Sequence, residues 1–134
     1  MKTSELTGAA LDWAVAKCEP DDTVRTYFDE DTGEKLCHDD WDIPEFSPST
    51  DWLQGGAIIE RESIFVLREQ SGFKGRRLWA ATSGASKAIG LNDDSVKLYR
   101  DAFYFGPAPL IAAMRCYVAS KLGDEVELPK EITK

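Results

Sequence analysis

Two groups of side chains in this sequence have the types and spacing to hold an anion. Pro48-Ser49-Thr50-Asp51-Trp52 places two hydroxyls, a carboxylate and an indole where a helix begins. Free backbone N–H groups at such a start favour negative charge. Arg68, Lys74, Arg76 and Arg77 gather with Phe73 and Trp79 on a hairpin pattern. Arginine can pair with a phosphate while a base stacks on a neighbouring ring. Each group also has a structural reading. Ser49 can cap backbone N–H groups while Trp52 enters the core, and Asp51 repels an anion at the same place. Charges on hairpin turns are routine. Gly55-Gly56 leaves room for a ligand against the backbone, or equally for Trp13 or Trp79. The candidate ligand-binding set is Ser49, Thr50, Asp51, Trp52, Gly55, Gly56, Arg61, Arg76, Arg77 and Trp79.

Catalytic and metal-binding patterns are weaker. Asp29, Asp31 and Glu34 surround Gly33, but a calcium loop needs its glycine one position later. A solvated turn fits better. Cys37-His38-Asp39-Asp40 offers metal-capable groups in a row, without a second CxxC or HxxxH to complete a zinc site. Neighbours in extended chain also point to opposite sides, so a Cys37–His38 nucleophile pair is a similarly weak pattern. Gly84-Ala85-Ser86-Lys87 lacks phosphate-loop spacing. Asp51 with Glu60 or Glu62 is a carboxylate pair of unspecified separation. No catalytic residue, metal or cofactor is expected.

Composition sets the frame. A chain of 134 residues suits one domain, taken here as 1–134, and buries enough surface to need no disulfide. Three widely spaced cysteines, Cys18, Cys37 and Cys116, fit free thiols in a reducing cytosol. The opening residues lack the apolar core of a signal peptide, and no run approaches a membrane span. A net charge of −8 disfavours general nucleic-acid binding; mimicry of DNA is the sharper reading of that charge and solubility the plainer one. The expected location is the cytoplasm.

The elements that must position these residues follow from periodicity. Ser4–Cys18 carries apolar residues at three- and four-residue steps and predicts a helix, with Thr3, Ser4 or Thr7 as its cap and Trp13 on the inner face. Thr23–Phe28 alternates like a strand, Asp29–Lys35 reads as a turn, and Leu36–Cys37 begins a return strand. His38–Ser47 is irregular. Ser49 is the expected N-cap of the next helix. Ser63–Glu69 is the clearest strand, Ser71–Gly75 a turn, and Arg76–Thr82 its antiparallel partner. Ser83–Asp94 reads as a loop with one weak helical turn, and Ser95–Phe105 fits neither period. The last helix has Pro107 and Pro109 in its first turn, an apolar face from Leu110 to Leu122, and Gly123 as its stop. Glu125–Leu128 suggests a short edge strand. Helices at both ends with strands between predict an α+β fold, an antiparallel sheet packed with N- and C-terminal helices.

Three segments bear a family resemblance. Leu6–Ala16 (LTGAALDWAVA), the run Pro48–Trp52 with Gly55-Gly56 and Ile58–Glu62, and Leu110–Ser120 (LIAAMRCYVAS) occur in the order seen in the phage NinX-like family, which this chain resembles over nearly its whole length. Two features depart from that pattern: Ala57 stands where proline is expected, and Ser83–Phe105 carries no matching motif. The Ser-Thr-Asp stretch is also similar to that of phage domains with an α/β/α sandwich. The resemblance implies a small phage or prophage accessory protein acting inside an infected bacterium, and it implies no established reaction. The leading expectation is a non-enzymatic binding module that engages a host protein or host defence. The alternative is a sequestering protein for an anionic nucleotide, held near the Arg68–Trp79 hairpin and the Ser49 helix start. A small hydrolase is the third. Homo-oligomerisation is left open.

Overall fold

In the computed structural model, the described residues are 1–20, 27–29, 32–35, 45–68, 78–83, 89–92, 95–98 and 103–129. They form three α-helices and two antiparallel sheets: α1 (Gly8–Cys18), α2 (Trp52–Arg61), β1 (Ile64–Arg68), β2 (Trp79–Ser83), β3 (Ile89–Asn92), β4 (Ser95–Leu98), β5 (Tyr104–Gly106) and α3 (Pro109–Leu122). A 3-10 turn over Thr3–Glu5 precedes α1. The main sheet has the order β1-β2-β5, with both pairs antiparallel. Its register matches Ile64 with Ser83, Arg68 with Trp79, and Trp79 with Gly106. The fold is α+β, with helices flanking the three-stranded sheet.

The sheet is organised by α3. This helix packs against β1, β2 and β5, and also meets α1 and α2. That is why Leu110 and the unbroken run Ala112–Val118 are buried on every side of it. A helix buried all round has no single apolar stripe. The same holds for α1, where Leu11–Ala16 are all buried. Leu6, Leu11, Val15, Met114, Tyr117 and Val118 meet in one core with Ile58, Ile64 and Ala81. Each large apolar side chain fully withdrawn from water contributes about 1.5–3 kcal/mol.

Several local expectations change. The helix expected over Ser4–Cys18 is broken at Leu6–Thr7, so the α-helix proper begins at Gly8. Thr7 is the N-cap residue but makes no side-chain cap bond, and the Thr3 hydroxyl donates instead to the carbonyl of Gly123 at 2.7 Å. Within the strand expected over Thr23–Phe28, the described residues are Tyr27, which is helical, and Phe28, which makes an isolated bridge to Lys35. Phe46 stacks on Tyr27 and meets Phe28 edge-on, which anchors this point in the core. The turn itself is closed by Asp29, whose carboxylate accepts from the amide of Thr32 at 3.0 Å. The loop expected over Ser83–Asp94 contains β3, which pairs with β4 from the ambiguous stretch after it. Pro107 lies outside α3; the helix starts at Pro109, after Ala108, and ends at Gly123, whose φ of +88° suits glycine. Glu125 makes a single bridge to Lys2 instead of an edge strand. Leu36–Cys37, His38 and Ser71–Gly75 fall outside the described residues.

Arg61 ties the C-terminal ends of α1 and α2 to the side of α3. It pairs with Glu19 at 3.0 Å and Glu62 at 3.3 Å, and donates to the Tyr117 hydroxyl at 3.0 Å. Glu19 holds the Arg61 guanidinium above its ordinary pKa. The Tyr117 hydroxyl in turn donates to the carbonyl of Cys18 at 3.1 Å. Burial, with Glu19 nearby, pushes Tyr117 from 10.0 to about 12 and the Cys18 thiol from 9.0 to about 12. A thiol so raised is not a reactive nucleophile at neutral pH. The sign of the pH effect follows. The unfolded chain loses the Cys18 proton above pH 9.0 and the Tyr117 proton above pH 10.0, while the folded chain keeps both to about 12, so stability present below pH 9.0 is lost as pH rises toward about 12. Denaturant melts at pH 8, 10 and 11 are expected to show midpoints falling steadily; a flat profile would contradict this account of Tyr117 and Cys18.

Candidate functional site

The turn before α2 is built on a buried carboxylate. Asp12 lies in the middle of α1 and is only 2% exposed. One of its oxygens accepts from the backbone N–H of Ser49 at 2.9 Å, and the other from the Lys35 ammonium at 2.9 Å. Lys35 also donates to the Ser47 hydroxyl at 2.9 Å. Helix, hairpin and turn are thus joined through one charge pair. A buried carboxylate is tolerated only when it is both paired and hydrogen-bonded, as here.

The turn closes on itself as well. The carbonyl of Ser47 accepts from the amides of Thr50 and Asp51, at 3.1 and 2.8 Å. Gln54 reaches back, accepting from the Ser47 amide at 2.8 Å and donating to the Glu45 carbonyl at 2.9 Å. Asp51, not Ser49, is the N-cap of α2: its carboxylate accepts from the Leu53 amide at 3.0 Å. Ser49 is 2% exposed and its hydroxyl oxygen finds no hydrogen-bond partner. Its amide has been drawn inward by Asp12, and that displaces the cap by two residues.

Trp52 is the larger departure. The alternative that sends its indole into the core does not hold, since Trp52 is 59% exposed and Leu53 is 83% exposed. They are the first two residues of α2, and the inward positions of that helix are taken by Gly55 and Ile58. An apolar pair therefore stands in solvent on a turn whose backbone is fastened from below.

The glycine pair divides in role. A Cβ on Gly55 would collide with the carbonyl oxygen of Pro48 and lie 2.6 Å from Cδ2 of Leu110. Neither Trp13 nor Trp79 is the neighbour that needs the space. A Cβ on Gly56 meets nothing within 4 Å. Gly55→Ala is expected to cost about 1–3 kcal/mol by overpacking, whereas Gly56→Ala should stabilise by up to about 1 kcal/mol through helix propensity. Parallel urea melts of the two variants check this, and equal midpoints would contradict it.

Among the described residues, the remaining candidates stand apart from one another. Asp51 and Arg61 stand at opposite ends of α2, on the order of 15 Å apart along a ten-residue helix. Arg61 is occupied by Glu19, Glu62 and Tyr117. Trp79 lies on β2 under the guanidinium of Arg68, 5.9 Å from its ring centre. Arg76 and Arg77 fall outside the described residues. The carboxylate pairing of Asp51 with Glu60 also spans a helix, on the order of 13 Å, too far for two acids flanking one water. Glu62 is held by Arg61 and Lys121.

The family model described as "Bacteriophage P22, NinX" matches residues 2–121. No curated protein matches the chain.

Proposed function

The chain belongs to the phage NinX family, and from that premise we propose that it is a non-enzymatic binding module whose Trp52–Leu53 helix start docks on a protein of the infected bacterium. The exposure of these two side chains carries the reading. Tryptophan is enriched at binding hot spots, because one indole buries a large area with little loss of side-chain freedom. The fastening of Ser47–Gln54 to Asp12 and Lys35 supports it further. A preformed loop loses less conformational entropy on docking than a floppy one. The acidic surface then limits encounters to partners that are neutral or basic around an apolar hollow.

The test is recovery of a defined complex. Tagged protein and a Trp52→Ala/Leu53→Ser variant are expressed in the host during infection, captured species are identified, and the complex is rebuilt from purified components. The expected result is a stoichiometric complex formed by the first and not by the second. A complex that forms equally well with both would remove the Trp52–Leu53 face from the reading.

A further inference from the structure

We propose that the cleft beside Arg115 binds a small ligand that joins an anionic group, carboxylate or phosphate, to an aromatic or apolar ring. The cleft has a volume of about 370 Å3 and is lined by Ser4, Leu78, Phe103–Pro107 and Arg115. That volume falls in the ~300–1,000 Å3 range of small-molecule clefts. It uses no residue of the Trp52–Leu53 face and does not depend on that reading.

Arg115 is the reason for assigning an anion. It is 8% exposed, and among the described residues no carboxylate lies within ion-pair distance of it. Its Nε donates to the carbonyl of Leu6 at 2.8 Å, and one terminal nitrogen to the carbonyl of Phe105 at 2.6 Å. Two of the five guanidinium N–H donors are so used. Among the described residues the other terminal nitrogen has no hydrogen-bond partner, and Arg115 lines the cleft. Burial lowers the pKa of Arg115, but an arginine stays charged in any accessible pH range. A desolvated cation without a counter-charge gains more from an arriving anion than an exposed one does. The two carbonyl bonds hold the guanidinium plane fixed, which suits bidentate pairing.

The walls supply the second half of the ligand. Phe103, Phe105 and Leu78 present apolar surface, and Pro107 leads to the start of α3, which has no side-chain cap. The positive end of that helix adds to the field favouring an anion. Tyr104 holds its hydroxyl on Asp124 at 2.6 Å, so that carboxylate is engaged away from Arg115.

The experiment titrates the isotope-labelled full chain with phenyl phosphate, phenylacetate, phenol and inorganic phosphate, following backbone amide resonances. Phenyl phosphate or phenylacetate is expected to shift the amides of Phe103–Gly106 and Arg115 saturably, the tighter of the two identifying the anion. Phenol is expected to bind at least about tenfold more weakly. Arg115→Gln strips two backbone carbonyls of their donor and would disturb folding, so Ser4→Glu is the variant of choice. Ser4 is exposed and lines the cleft. Its new carboxylate competes for Arg115 and is expected to weaken the aromatic anion at least about tenfold at an unchanged thermal midpoint. The proposal is overturned if neither aromatic anion saturates, if inorganic phosphate alone matches them, if phenol binds as tightly, if the shifts map elsewhere, or if Ser4→Glu binds like the parent.

Discussion

Replacing Asp12 by alanine is expected to destabilise the protein by about 3–5 kcal/mol, a large part of the ~5–15 kcal/mol of a typical domain. The loss has two sources. The Ser49 amide is buried and loses its acceptor, and the Lys35 ammonium loses its counter-charge beside the core. Lys35→Met is expected to approach the same loss, because it leaves the Asp12 carboxylate buried with one backbone N–H as its remaining partner. The double variant should lose less than the sum of the two, since residues sharing one network do not act independently. Glu45 is the internal control. It stands 3.8 Å from Lys35 but is well exposed, so Glu45→Gln should change stability by no more than about 0.5 kcal/mol. Urea denaturation of the four variants measures all of this. A loss under about 1 kcal/mol for Asp12→Ala would mean that the turn is held by something else.

Trp52→Ala is expected to do the reverse: little to the fold and much to association. With its indole largely in solvent, truncation should alter stability by about 0.5 kcal/mol or less. Affinity for the partner should fall by about 2 kcal/mol or more, near thirtyfold. Leu53→Ser should weaken binding further without lowering the denaturation midpoint. Calorimetry on the rebuilt complex gives the affinity, and melts of the free protein give the stability. A Trp52→Ala protein that unfolds would return the indole to the core.

How much of this was legible in the sequence differs from element to element. The last helix was readable because proline at its start, glycine at its stop and a dense apolar run all agree, and α3 begins at Pro109 and ends before Gly123. The pairing of the Ser63–Glu69 and Arg76–Thr82 segments was readable from alternation and an intervening turn. The β3–β4 hairpin was not identified, although two four-residue runs separated by Asp93-Asp94 carry a hairpin signal. Glycine and a lysine within those runs obscured the alternation. At the candidate site, Ser49 has every local qualification as a cap. It fails because Asp12, 37 positions earlier, takes its amide inward. No window of sequence contains that contact. Trp52 misleads for a related reason: tryptophan is usually buried, and its exposure here is set by Gly55 and Ile58 occupying the inner face of α2. Arg115 carries no signal of its own in the sequence: that two of its N–H groups meet the carbonyls of Leu6 and Phe105 depends on where those residues come to rest.

The exposed helix start can be interrogated inside the infected cell by a photo-crosslinking residue, benzoylphenylalanine, placed at Trp52 and, in a second strain, at the exposed Glu127. Irradiation is predicted to give one discrete protein adduct from position 52 that is missing from position 127. Absence of any adduct at 52, or the same smear of adducts from both positions, would contradict the assignment of this surface to a partner.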